Sequence, residues 1–291
     1  MGIAAPRILI VDDKQEHGEA VARKLWKLGY ASLFVKYDQQ DLMDGVYGPY
    51  YGVRLVIMDL DLAGEGRIGD GSRAYSDVTA TLQALLGENN GPWILVTWTG
   101  HADHAEALFM YLKKRLSDCL HPVSNAVMDK EDFINSDGTE KDDGDIGSRL
   151  QELVRQERAI GCLLGWEAAV CKSANQVTYE LSHTAKKLDG DIQQNLGHLL
   201  FELTKAEAGE TVDDLSDYAP ELYSLLASLL SDILTVFVPD ADNPCSEPTV
   251  SAVAGGIDIT GWKRAINGMI NFENRYCGGA FPGALFKVTD E

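Results

Sequence analysis

Two hydrophobic rhythms divide the chain. Over the first ~130 residues short apolar runs alternate with amphipathic stretches, the pattern of repeated strand and helix units. Five runs read as strands: Arg7–Asp12, Ala31–Lys36, Arg54–Asp59, Trp93–Thr97 and Asn125–Met128. The first, third and fourth are rich in Val, Ile and Leu without alternation, which predicts burial on both faces and a central place in a parallel sheet. Helices are predicted at about 14–28, 39–46, 73–87 and 102–117, with Gly29 and Gly87 where C-terminal caps would sit.

From Ile146 the rhythm becomes helical and stays so. Ile146, Leu150, Leu153, Ile160, Leu164, Val170, Ala174, Val177, Leu181 and Leu188 recur every three to four residues. Gly161 and Gly165 are expected to mark a bend in that seam, which is also long enough to serve as a homodimer contact. Further helices are predicted around Ile192–Leu203, Leu222–Phe237 and Trp262–Ile270, separated by a Pro- and Gly-rich loop over Val238–Ile257. The expectation is a doubly wound five-stranded parallel α/β domain over 1–145 and an all-α helical domain over 146–291. Asp61–Ser72 reads as a long irregular loop, and Ser136–Asp145 as an acidic connection.

The ends of the predicted strands carry polar groups that packing does not require. Asp12 and Asp13 end the first, Asp59 the third, Thr97 the fourth, and Lys130 follows the fifth. In a doubly wound parallel sheet these ends share one edge, where such folds place their ligands. Three crowded carboxylates repel one another unless a cation sits among them, and magnesium (Mg2+) suits them: it takes one or two carboxylates, keeps waters and leaves a position for a phosphoryl oxygen. A carboxylate beside such a cation and an ammonium is a place where a phosphoryl group can be accepted.

Charge narrows the partners. The formal net charge is −20, about −10 in each half, so no basic face exists to neutralise nucleic-acid phosphates. DNA binding is not expected, and anionic membranes are disfavoured for the same reason. No run reaches the ~18–20 apolar residues of a membrane span. The five cysteines are scattered and without a CxxC pair, which suits a reducing, cytoplasmic location.

RILIVDD, VIMDLDL, ILVTWTG and AVMDKEDF, in this order and spacing, resemble the receiver domain of two-component response regulators, over roughly residues 5–160. The resemblance implies a flavodoxin-like receiver in which Asp59 accepts a phosphoryl group. Asp13 and Asp59 would bind Mg2+ directly, the Asp61 carbonyl would complete the protein ligands, and Asp12 would hold the metal through water. Thr97 and Lys130 would contact the phosphoryl group. The donor would be a histidine kinase or histidine phosphotransfer protein, and the output a protein–protein interaction of the helical half.

The chain departs from the family at Trp98, where a small residue usually follows the threonine; the indole is expected either to pack on a neighbouring helix or to narrow access to Asp59. Glu131 replaces the usual proline, and Val127 the usual aromatic residue before the lysine. Two other functions fit part of the pattern. Asp59-Leu60-Asp61 has the DxD spacing of a haloacid dehalogenase-type Mg-dependent phosphatase, and a receiver fold could also serve as an unphosphorylated scaffold.

Overall fold

The structure, a computed structural model, describes residues 6–63, 72–135, 139, 141, 145–208 and 215–236. They all belong to one compact unit, Met1–Glu247. The expected long loop lies mostly outside the described residues, as does much of the acidic connection. The Pro-rich loop and the helix around Trp262–Ile270 lie wholly outside them.

Five parallel strands form a single sheet: β1 (Ile8–Asp12), β2 (Ser32–Lys36), β3 (Leu55–Asp59), β4 (Ile94–Trp98) and β5 (Ser124–Met128). Their order is β2-β1-β3-β4-β5, so the three runs without alternation are the three interior strands. The register places Ile10 beside Ile57 and Ile57 beside Val96. Side chains of alternate parity enter two separate cores. On one face Leu9, Val11, Val56, Met58 and Leu95 meet Val78, Leu82 and Leu85 of α3 (Ser72–Leu85) and Leu108 and Leu112 of α4 (Ala105–Arg115). The short α2 (Gln39–Met43) contributes Leu42 to this face. On the other, Ile10, Ile57, Val96 and Trp98 meet Val21, Ala22 and Leu25 of α1 (Gln15–Lys27) and Ile146 and Leu150 of α5 (Ile146–Gln156).

Local chemistry explains several of these element ends. Gly29 follows the last turn of α1 with φ +83°, the left-handed position that favours glycine after a helix. Gly87 is different: it is not among the glycines with positive φ. Its N–H donates to the Tyr50 carbonyl, and a Cβ there would collide with the Tyr51 ring. Close approach requires that glycine, and not a helix cap.

The helical part consists of α6 (Arg158–Lys186), α7 (Ile192–Ala208) and α8 (Leu215–Val236), each in contact with the other two. Gly161 and Gly165 both lie inside α6, and the helical run breaks at Glu157 (φ −91°, ψ 67°). The reason is tertiary. The Glu157 carboxylate accepts a 2.7 Å hydrogen bond from Ser124 Oγ at the start of β5, which fixes the chain between α5 and α6. Ile160, on the first turn of α6, belongs to the same core as Ile10 and Val96, so apolar packing continues across residue 146.

Candidate functional site

β1 and β3 run in register with Val11 beside Met58, so Asp12 and Asp59 end their strands side by side. Both carboxylates share the parity of Ile10 and Ile57 and are nearly fully buried. Lys130, two residues beyond β5, lies between them: its Nζ is 2.8 Å from Asp12 Oδ2 and 2.6 Å from Asp59 Oδ2. The remaining oxygens meet backbone donors. Asp12 Oδ1 accepts from Lys14 N at 2.9 Å and Asp59 Oδ1 from Asp61 N at 3.3 Å. Asp13 is half-buried, and its Oδ1 is sealed from solvent without a partner.

One carboxylate oxygen from each of Asp12, Asp13 and Asp59 lies within 4.8 Å of the other two, so the three could hold a metal ion. Burial pushes the Asp12 carboxyl up to about 7, and the Asp59 charge adds to this while Lys130 opposes it. Burial and Asp59 together also raise Asp13. Burial alone would lower the Lys130 ammonium, but Asp59 and Asp12 outweigh it and hold the lysine above its ordinary range. Among the described residues Lys130 is paired with Asp12 and Asp59 and Lys14 lies nearby, and together they do not offset the burial of Asp12 and Asp13.

These groups open onto a cavity of about 170 Å³ lined by Asp13, Lys14, His17, Asp59, Asp61, Thr99, Gly100, His101 and Lys130. Of the residues expected from sequence, Asp12, Asp13, Asp59, Asp61 and Lys130 are brought together here. Thr97 is not. It pairs with Met58 and shares the parity of Leu95, so its side chain enters the opposite core, and its Oγ1 is buried without a partner. Strand alternation sends neighbouring positions to opposite faces, and Thr97 is one residue out of step with Asp59, whose register partner is Trp98.

The hydroxyl at the cavity is that of Thr99, which accepts a hydrogen bond from His101 N at 3.1 Å. Gly100 follows it, so a threonine followed by a small residue stands two positions after Thr97. Trp98 neither lines the cavity nor lies on its rim. It is fully buried, with its ring centroid 5.5 Å from that of Phe133, in the core shared with Ile57 and Val96.

His17 and His101 line the cavity and were not expected from sequence. His17 lies in the first turn of α1, and burial together with the Lys130 and Lys14 charges lowers its imidazole from the ordinary range. His183 lies on α6 with its ring stacked on Tyr179 at 5.5 Å, and is not among the residues lining the cavity.

No helix among the described residues is long and apolar enough to cross a membrane. Neither a family model, nor a curated protein, nor a solved structure matches this chain. The five-stranded parallel sheet with its helices and buried acidic group is compatible with a receiver domain.

Proposed function

We propose that the protein is a phosphoacceptor response regulator of a two-component system or phosphorelay, with Asp59 as the acceptor. The observation that carries this reading is the convergence of Asp12 and Asp59 on Lys130 at 2.6–2.8 Å, beside a cavity lined by Asp13, Asp59 and Lys130. In the step proposed, an Asp59 oxygen forms a bond to phosphorus while the bond from phosphorus to the donor breaks, and the donor leaves with that electron pair. The donor is a phosphohistidine on a histidine kinase or phosphotransfer protein, or a small acyl phosphate. Lys130 offsets the charge that arrives.

Mg2+ is the cation that fits. The unpartnered Asp13 Oδ1 and the close Asp12 and Asp59 oxygens provide a hard, all-oxygen donor set, and Asp13 and Asp59 are the residues that would hold the ion. It would supply neutralisation of phosphoryl oxygens. Thr99, not Thr97, is the hydroxyl placed to meet the incoming group.

The output is protein–protein contact by α6–α8, as homodimer or with an effector. Trp166, Tyr179, Leu188, Ile192 and Tyr223 are exposed there, Tyr223 at 72%. The decisive experiment is labelling with radioactive acetyl phosphate and Mg2+. One acid-stable, base-labile phosphate per chain is expected, and none with Asp59→Asn. Multiple turnover on a generic phosphomonoester would point to a phosphatase instead. An unchanged oligomeric state with beryllofluoride would favour a scaffold.

A further inference from the structure

His17 is unusual among the cavity residues because one of its ring nitrogens has no partner among the described residues. Its Nδ1 is buried and makes no hydrogen bond, whereas buried imidazole nitrogens are ordinarily paired. The backbone that carries it is firmly seated. Gly18, the next residue, lies so close to the Phe34 ring of β2 that a Cβ there would overlap it, so the first turn of α1 packs directly on the sheet. Only the ring torsions of His17 are left to adjust. His17, Asp59 and Lys130 line the same cavity, and the Lys130 and Asp59 charges both act on the imidazole.

A phosphoryl group has three strong acceptor oxygens and brings more than one negative charge. On the cavity wall Lys130 is already shared by Asp12 and Asp59, and Lys14, Thr99 and His101 stand beside His17 as further donors. An imidazole has at least one N–H in either protonation state. We infer that His17 is a further phosphoryl ligand of this site, its ring N–H closing on a terminal oxygen of the group carried by Asp59. The inference rests on Asp59 being the acceptor. It adds a residue that the receiver pattern quoted above does not contain, and it accounts for an orphaned buried nitrogen that packing does not explain.

Beryllofluoride, which bonds to a carboxylate in place of a phosphoryl group, tests this at equilibrium in the full chain with Mg2+. The ring nitrogen resonances of His17 are expected to shift on titration in wild type and to stay fixed in Asp59→Asn. His17→Ala should bind beryllofluoride about tenfold more weakly, the scale of one charge-assisted hydrogen bond, and His17→Gln, which keeps a donor of similar reach, should recover most of the loss. If wild type takes up beryllofluoride while His17→Ala titrates identically and the ring resonances do not move, His17 is not a ligand and the acceptor reading stands. If wild type does not respond at all, the acceptor reading itself falls and this inference with it.

Discussion

The two edges of the sheet carry ion clusters built from the same strands, and they are opposite in character. β1 is preceded by Arg7 and ends in Asp12; β3 is preceded by Arg54 and ends in Asp59. At the amino edge both guanidinium groups converge on Glu167 of α6. Arg54 Nη2 is 2.6 Å from Glu167 Oε1, its Nε donates to the same carboxylate, and Arg7 Nη1 pairs with Oε2. Burial would raise the Glu167 carboxyl, but Arg54 and then Arg7 outweigh it and hold it below the usual range. At the carboxyl edge two buried carboxylates share one lysine, a third has an unpaired oxygen, and Asp12 is pushed up to about 7. The first cluster is satisfied and ties a helix to the sheet. The second is frustrated, and a fold retains frustrated charge where a ligand completes it.

The sharpest break of this contrast is Asp59→Asn. Labelling by acetyl phosphate should vanish entirely, while the folded state persists, because the amide removes one of two like charges from around Lys130. Next in size is Lys130→Ala, which leaves two buried carboxylates without their shared cation. Urea unfolding at pH 8 should show a loss of about 3 kcal/mol, the scale of breaking one side of a buried pair. At pH 5 the loss should shrink, since a proton on Asp12 then replaces the missing ammonium. An equal loss at both pH values would contradict the assignment of Asp12 as the titrating member.

The frustration also sets a pH dependence. Asp12 binds a proton in the folded protein up to about pH 7, whereas the model carboxyl releases it near 3.8. The folded state therefore holds more protons across that interval, so this group's contribution is fully present below about pH 4 and is lost as pH rises through 7. Asp13 moves in the same direction. Thermal melts in a chelator should show wild type losing stability relative to Asp12→Asn between pH 5 and 8. Millimolar Mg2+ should close that gap, most at pH 8, by occupying the place of the proton.

Much of the carboxyl edge was legible because its signals are local. An apolar run closing in an aspartate marks a strand end, and the parallel alternation of elements puts such ends together. The choice between Thr97 and Thr99 was not legible from the run ILVTWTG alone, since the two share strand parity and only the end of β4 at Trp98 frees Thr99 from that alternation. It depends on the register that sets Trp98 opposite Asp59, with Gly100 after Thr99 as the only local hint. His17 was missed because a polar residue in a first helical turn is ordinary, and only the tertiary placement of α1 brings it to the cavity. The amino edge was not legible at all. Nothing near Glu167 in sequence announces Arg7 or Arg54, which are 160 and 113 residues away. The break at Glu157 depends on another distant contact, to Ser124.

The satisfied cluster makes a smaller and separate prediction. Glu167→Gln keeps the shape and some hydrogen bonding but removes the charge between two arginines, of which Arg7 is 43% exposed and water-screened. A cost of about 1 kcal/mol in urea unfolding is expected, with labelling at Asp59 unchanged. A large fall in labelling would mean that the two edges are coupled through the sheet.

The smallest effect separates the two threonines. Thr97 Oγ1 is buried in the apolar core on the α3 and α4 face without a hydrogen bond, so Thr97→Val exchanges a desolvated hydroxyl for a methyl group of nearly the same size. Removing an unsatisfied buried polar group is favourable, and a gain of about 0.5–1 kcal/mol in unfolding free energy is expected, with phosphoryl uptake unaffected. Thr99→Val does the opposite. It deprives His101 N of its acceptor and the cavity of its hydroxyl, so uptake should slow severalfold at little change in global stability. Slow uptake by Thr97→Val with normal uptake by Thr99→Val would reverse the assignment, and would require β4 to be shifted by one residue against β3 in the working protein.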